Sequence, residues 1–316
     1  MTFKQPEKIY KFRQFNEQTL SSLCHDQLYF AAPSTFNDPL DCKPSIVADS
    51  NIKELRDLLK ELISRRVKSE TLTSLKIAKV ADNVAESHAE QVSIQYAENE
   101  LANTQYQATN PDYEISIEEA EYTILKWDIQ REILNQYDRG ICCFSSCPKD
   151  PLLWSHYGDQ HHGICIGYDT DRNPKPLLNK VNYDGGREVK TSLIVNAILH
   201  NDKASSNALD EQILLRKAGS WRYEKEWRLF DGVGLKDSPL ALKDITFGLR
   251  CPTAVIHSII KALEGRSENI DFYQISLTHG SFELKREPLN MYERCEFLPK
   301  TARSGIEIFG PKTDDE

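Results

Sequence analysis

Residues 50–137 constrain the fold more than any other part of this chain, because they read as helix set among short strands. The run "NIKELRDLLKELISRRV" puts Ile52, Leu55, Leu59 and Leu62 on one face, and Asn51 followed by Glu54 is the sequence of a capping box. Ser116 followed by Glu119 opens a further amphipathic helix that runs to about Tyr137. Between Lys79 and Lys126 there is no Lys or Arg while ten acidic residues occur. The segment is therefore expected to be a helical insertion with an acidic face.

On either side the sequence has the period of strands. In "KIYKFRQF" Tyr10 and Phe12 face one way and Lys11 and Arg13 the other, as in a half-buried strand with a cationic face. Leu20 and Leu23 mark a short helix, and a second strand then runs into the polar turn of "LYFAAPSTFNDPLDC". Beyond the insertion, "GICCFSS", "GICIGYD", "KVNYDG", "EKEWRLF", "DITFGLRC" and "FYQISLTHGSFELKRE" all read as strands. "DPLLWSHYG" reads as a turn or a single helical turn, and "ALDEQILLRKAGSW" as a helix ending near Gly219; "AVIHSIIKAL" is open between strand and helix. The expected organisation is an α/β core in two parts, 1–49 and 138–300, interrupted by the insertion at 50–137 and followed by a loose tail at 301–316.

Composition excludes several classes. With 316 residues, 40% hydrophobic and 28% charged, the chain is that of an ordinary globular protein. No stretch approaches the roughly 18 consecutive apolar residues of a membrane span, so no membrane association is expected. The start, "MTFKQPEKIYKF", has no apolar core and no small-residue cleavage site, which points to a cytoplasmic protein. Eight irregularly spaced cysteines are expected to be reduced and mostly buried thiols. A formal charge of −9 argues against a protein that coats nucleic acid and leaves room only for a local basic groove.

The richest chemistry lies in "WRYEKEWRLF". On a strand, Glu224, Glu226 and Arg228 would line one side while Trp227 and Leu229 pack on the other. Neighbouring carboxylates raise one another's pKa unless a cation or hydrogen bonds hold them. The pair therefore reads either as an exposed face neutralised by Arg222 and Arg228, or as a site that polarises a ligand hydroxyl and stabilises a developing cation. In "DPLLWSHYGDQHHGICIGYD", His156 and Tyr157 stand beside Trp154, with His161 and His162 ahead of a buried strand. These residues suit proton shuttling and ring stacking, or equally a core anchor with a capped turn. Ser34, Thr35, Asn37 and Asp38 suit an Asx-type turn or a polar ligand clamp. Cys142, Cys143, Cys147, His161, His162 and Cys165 lack the spacing of a zinc knuckle, so no metal is expected. No Gly-rich phosphate loop or nucleophile elbow occurs.

Taken together, "IYKFR", "LYFAAPSTFNDPLDC", "ICCFSS", "LLWSHYGDQHHGICIGYD" and "WRYEKEWRLF" resemble the bacterial family catalogued as domain of unknown function 2971, from about Ile9 to Phe230. That family implies no activity. A cation on a first strand, a Ser/Thr loop after a second and an E-x-E on a later one also resemble ADP-ribosyltransferases of the Arg-Ser-Glu type, although their Ser-Thr-Ser triplet is present only in part, as "PSTF". This second resemblance implies an α+β protein with a mixed, split or strongly bent sheet and with NAD as substrate. It implies catalytic roles for Glu226 and for Glu224 before it. Arg13, or Lys11 on the same face, would hold NAD with Ser34, Asn37, Asp38, Trp154, His156, Tyr157 and Arg228. A preorganised carboxylate would stabilise the oxocarbenium charge that develops as the nicotinamide–ribose bond breaks. The acceptor would be water, a protein or a nucleic acid, and in bacteria such an activity implies a toxin or phage-defence effector.

Two alternatives stand beside this expectation. One is a non-catalytic, nucleotide- or partner-binding regulatory protein whose acidic insertion recruits the partner. The other is a metal-dependent nuclease or hydrolase using Asp38, Asp41, His156, Glu224 and Glu226.

Overall fold

The computed structural model describes residues 4–137, 139–290, 300–304 and 307–308. The chain begins with β1 (Lys8–Arg13), α1 (Glu17–His25), β2 (Gln27–Phe30) and β3 (Ser45–Val47), followed by three long helices, α2 (Ile52–Ile77), α3 (Asp82–Gln107) and α4 (Ile117–Gln136). Next come β4 (Gly140–Ser145), α5 (Pro151–His156), β5 (Ile164–Asp169), β6 (Asn179–Lys180), β7 (Glu188–Lys190), α6 (Thr191–Ile198) and α7 (Lys203–Leu214). The remaining elements are β8 (Glu226–Asp231), β9 (Gly234–Asp237), β10 (Ala241–Phe247), α8 (Thr253–Leu263), β11 (Asp271–Leu277) and β12 (Leu284–Pro288). The protein is α+β, with parallel and antiparallel strand pairs in one sheet. Two compact units share the chain: a helix-rich unit of Tyr29–Cys143 and Leu177–Lys236, and a sheet unit of Lys4–Leu28, Phe144–Pro176 and Asp237–Glu316.

In the helix-rich unit, both expected capping boxes are present. The Asn51 and Ser116 side chains accept from the amides of Glu54 and Glu119, whose carboxylates reach back to the cap amides. Leu55, Leu58, Leu59, Leu62 and Ile63 of α2 bury their side chains with Leu125, Ile129 and Ile133 of α4 in one core. The acidic run is compensated from α2 within the unit. Arg56 and Arg66 make two-pronged bonds to the buried Glu121 and Glu132, and Lys60 and Lys68 pair with Glu98 and Glu90 of α3. The expected acidic face is thus partly an internal surface, because the basic residues of "RDLLKELISRRVKSE" match it.

Three readings of this region change. The helix read as ending near Gly219 stops at Leu214, since the backbone beyond it turns to pair with another segment: Asn182 donates to Leu215 O and Lys217 donates to Asn182 O. "KVNYDG" keeps only Lys180, the second residue of β6, plus a bridge at Asn182. "EKEWRLF" is strand only from Glu226, and Glu226, Trp227, Arg228 and Leu229 are all buried, so both faces of β8 are covered rather than one.

The sheet unit is built on β5, which pairs antiparallel with β1 on one side and β10 on the other. β10 continues through α8 to a parallel β11, the crossover that parallel pairing needs, and β12 closes antiparallel on β11. "AVIHSIIKAL" is therefore helix. Register puts Lys11 and Arg13 on the face that carries Ile9, Ile164, Ile166 and Ile245, so the expected cationic face is a largely apolar one with two half-buried cations at its end.

The opposite face holds an unexpected polar centre: Asp244 is fully buried and bonded by Lys8 (3.0 Å) and Arg286, and Arg286 also donates to Thr246 and lies 3.5 Å from the centre of the Tyr273 ring. Gly167, opposite Asp244, leaves the space that this carboxylate occupies, since a Cβ there would collide with it.

Cys24, Cys42, Cys142, Cys143, Cys147, Cys165 and Cys251 are free thiols, four of them buried, while Cys295 lies outside the described residues. Of the tail expected to be loose, only 301–304 and 307–308 are described. No helix among the described residues is long and apolar enough to cross a membrane.

Overpacking of this kind costs about 1–3 kcal/mol. Gly167→Ala is accordingly expected to lower unfolding free energy by that amount in urea titrations, and Asp244→Ala to cost less in that chain than it costs alone, because it removes the carboxylate that the new Cβ meets.

Candidate functional site: a buried carboxylate–cation cluster

The turn "APSTFNDPLDC" is fixed by its own polar residues. Asn37 Oδ1 accepts the Asp38 amide at 3.0 Å and Asp38 Oδ1 accepts the Leu40 amide at 2.8 Å, an Asx arrangement that brings Asp41 and a left-handed Cys42 inward. Ser34 sits exposed in the short helical turn Pro33–Thr35.

Asp41 meets Arg228 of β8, whose side chain has no exposure to solvent. All five guanidinium N–H groups have partners. Nε donates to Glu226 Oε1 at 2.7 Å; Nη2 donates to Asp41 at 2.7 Å and to Glu226 Oε2 at 3.3 Å; Nη1 donates to Leu214 O at 2.7 Å and Cys42 Sγ at 3.0 Å. The Phe36 ring stands 5.8 Å from the guanidinium.

Glu224 and Glu226 do converge, but not because they alternate along a strand. Glu224 ends the helical turn Gly219–Glu224, and a left-handed Lys225 reverses the chain before β8 begins. That geometry aims both carboxylates at Lys217 Nζ, 2.6 Å from Glu224 and 2.9 Å from Glu226, with Asp41 at 3.4 Å. Lys217 also lies 5.1 Å from the Trp221 ring centre. The phenolic oxygen of Tyr183 accepts the Glu226 amide at 2.8 Å.

Lys217, Tyr183 and Cys42 are members the sequence did not single out, and Asp41 was weighed only as a metal ligand. In the sequence Lys217 stood only inside the run read as helix to near Gly219. The ammonium stands where three carboxylates meet, and no group of three or more His, Cys, Asp or Glu among the described residues is arranged to hold a metal.

Electrostatically the cluster holds its charges in place. Burial opposes ionisation of Glu226, but Arg228, Lys217 and a bond from Cys143 outweigh it and hold its carboxyl well below the usual range. Burial opposes the charge on Lys217 as well, and Glu226, Glu224 and Asp41 more than offset it, so the ammonium is held well above its ordinary value. Burial pushes the Cys42 thiol up to about 12, which keeps it neutral and able to donate to Asp41. Asp41, Glu224 and Glu226 thus converge on Lys217, and Asp41 and Glu226 also on Arg228, all of them buried.

Beside the cluster, in the same unit, a cavity of about 910 Å³ is lined by Arg139, Tyr183, Arg222, Trp227 and Phe230 among others. Arg139 lies 5.0 Å over Phe230 and Arg222 5.8 Å over Tyr183.

Lys11, Arg13, Trp154, His156 and Tyr157 belong to the sheet unit. Trp154 is fully buried, donates its indole N–H to Pro148 O at 2.9 Å and meets Phe12 edge-on at 5.1 Å, so it anchors the core rather than offering an open stacking face. Lys11 lies over Phe144 at 5.3 Å. His156 is exposed at the end of α5, which Asp150 caps, and Tyr157 follows it half-buried.

The fold and cluster thus define an α+β protein with a closed site of interlocked carboxylates and cations. Residues 153–229, which carry every member of that site except Asp41 and Cys42 with its neighbours in the turn and Cys143 on β4, match the model of a family described as "Protein of unknown function (DUF2971)". The match covers the later part of the span that resembled this family in sequence and stops short of the first strand and loop. No curated protein and no solved structure matches the chain.

Removing one partner from a buried ion pair costs about 3–5 kcal/mol. Lys217→Met is expected to destabilise the fold by that order in urea unfolding. Because the Glu226 pKa is depressed in the folded state, its contribution is complete above the ordinary glutamate pKa and is lost only as pH falls towards the depressed value. Acid unfolding should accordingly be shallower in Glu226→Gln than in the wild type.

Proposed function

We propose that the chain breaks the nicotinamide–ribose bond of NAD, passing ADP-ribose to water or to a protein or nucleic-acid acceptor. The observation that carries this reading is the convergence of three buried carboxylates, Asp41, Glu224 and Glu226, on one point at Lys217 Nζ. Carboxylates preorganised around one point stabilise positive charge that develops beside them, and the ribose of a departing nicotinamide develops that charge at its anomeric carbon. Glu226, bonded to both Lys217 and Arg228, takes the stabilising role, with Glu224 supporting it and Arg228 fixing its orientation. Entry requires the Gly219–Glu224 turn, with the half-buried Trp221 and Tyr223, to move aside. NAD consumption would suit a bacterial toxin or phage-defence effector.

A second reading, a non-catalytic nucleotide-binding protein, has its own support. Both oxygens of Glu226 are already engaged by Arg228 and Lys217, while the neighbouring cavity places Arg139 and Arg222, paired with Asp210 and Asp184 of the same lining, beside aromatic rings. Guanidinium and ring faces suit a phosphorylated, planar ligand.

Release of nicotinamide from NAD by purified protein separates the two readings. The enzyme reading expects release that falls at least about a hundredfold in Glu226→Gln, the scale of losing a preorganised electrostatic group. The variant is isosteric, and urea unfolding beside the wild type checks that it remains folded despite the lost buried pair. No release, with NAD or AMP still raising the thermal midpoint of wild type but not of Arg139→Ala, would establish the binding reading instead.

A further inference from the structure

The helix-rich unit contains a second cavity, of about 480 Å³, whose charged lining the carboxylate cluster does not explain. Three cations from separate parts of the chain line it: Arg65 of α2, Arg139 ahead of β4 and Lys203 at the start of α7. Asp210 is the acidic residue of the lining, and Asn201 and Ser206 add amide and hydroxyl groups.

Each cation is positioned with donors to spare. Arg65 is held at the wall by Nε, which donates to Glu61 at 2.6 Å, and by Nη2, which donates to Ile198 O at 2.9 Å; Nη1 has no partner among the described residues. Arg139 stands against two rings, 5.9 Å from the centre of Tyr137 and 5.0 Å from that of Phe230. Its ion pair with Asp210 is long, 3.6 Å, with both side chains more than 40% exposed, and such a pair holds weakly against a closer anion. Asp210 does not depend on it, since the Tyr137 hydroxyl donates to Oδ1 at 2.8 Å. Lys203 is exposed and pairs with no carboxylate among the described residues. The acid beside it, Asp202, is committed to capping α7 by accepting the Ser205 amide at 2.8 Å, and a left-handed Asn201 with a bond from the Asp202 amide to Asn196 O sets the turn.

We propose that this cavity binds the phosphate group of a small phosphorylated molecule through Arg65, Arg139 and Lys203. A carboxylate takes one edge of one guanidinium, as Glu121 does with Arg56 and Glu132 with Arg66. A phosphate carries about two negative charges on oxygens that point in several directions, which suits cations reaching one cavity from separate elements. Arg139 and Asp210 also line the larger cavity, so the rest of such a molecule can extend towards the Tyr183 and Phe230 rings there. The phosphate then belongs to a nucleotide or to a sugar phosphate. The site rests on neither reading above, since Arg65 and Lys203 line neither the cluster nor the larger cavity.

The test is calorimetric titration of the full chain with pyrophosphate and, separately, with acetate. Pyrophosphate should bind saturably at one per chain, and acetate at least about tenfold more weakly. Lys203→Ala, at an exposed position, and Arg65→Gln should each weaken pyrophosphate about tenfold, the scale of one lost charge-assisted bond. Arg222→Ala, which changes the larger cavity and not this one, should leave its affinity unaltered. Melting curves check the folding of each variant, and Lys203→Ala decides by itself where Arg65→Gln is unfolded. AMP beside ribose 5-phosphate identifies the source: tighter AMP binding that falls in Arg222→Ala marks a nucleotide, and equal affinities mark a sugar phosphate. Pyrophosphate carries no nicotinamide, so its binding is read whether or not the chain cleaves NAD. No saturable pyrophosphate binding, acetate bound equally tightly, affinity unchanged in Lys203→Ala, or a loss in Arg222→Ala as large as in Lys203→Ala would overturn the proposal.

Discussion

Arg228 is the residue on which the helix-rich unit depends. Its five N–H groups tie together three pieces that are remote in sequence: the turn that ends in Asp41 and Cys42, the end of α7 at Leu214, and β8 itself through Glu226. A guanidinium without solvent is tolerable only when every donor is satisfied and counter-charge is close. Satisfying it fixes the turn, stops α7 and places Glu226, and Glu226 in turn orients Lys217. Specificity of arrangement, rather than stability in excess of an apolar core, is what such a cluster contributes.

The same compensation of charge recurs elsewhere. Basic residues of α2 answer the acidic ones of α3 and α4, most firmly where Arg56 and Arg66 hold the buried Glu121 and Glu132. In the sheet unit Lys8 and Arg286 answer Asp244. The Asp41–Glu224–Glu226 cluster differs in that three buried carboxylates converge on a single ammonium. That convergence, rather than the presence of two neighbouring glutamates, is the physical reason to look for chemistry there.

The candidate site was legible in pieces. The E-x-E of "WRYEKEWRLF" and the polar turn of "FNDPLDC" were visible as separate features, and Arg228 as the cation two residues from Glu226. Their union was not visible, because Asp41 and Arg228 lie 187 residues apart and no local period links them. Strand alternation also gave the wrong reason for the meeting of the two glutamates, since the chain reverses at a left-handed Lys225 that a periodicity argument cannot see. Trp154 illustrates the converse case: a residue type suited to stacking a ligand is buried, its indole N–H bonded to the backbone.

By itself the sequence determined the elements whose causes are local: the capping boxes at Asn51 and Ser116, the apolar stripe of α2, the turn at Asn37–Asp38, and the strand character of "KIYKFR" and "GICIGYD". Those depend on contacts between residues one to four apart, and these are written in spacing. Tertiary structure alone decided which faces are covered, which charges meet and where three carboxylates converge on one ammonium. Lys217 acquires its meaning only when a helix ends early, a turn reverses and a distant loop folds inward. Burial and charge balance are properties of the assembled neighbourhood, and so could not be read from the order of residues.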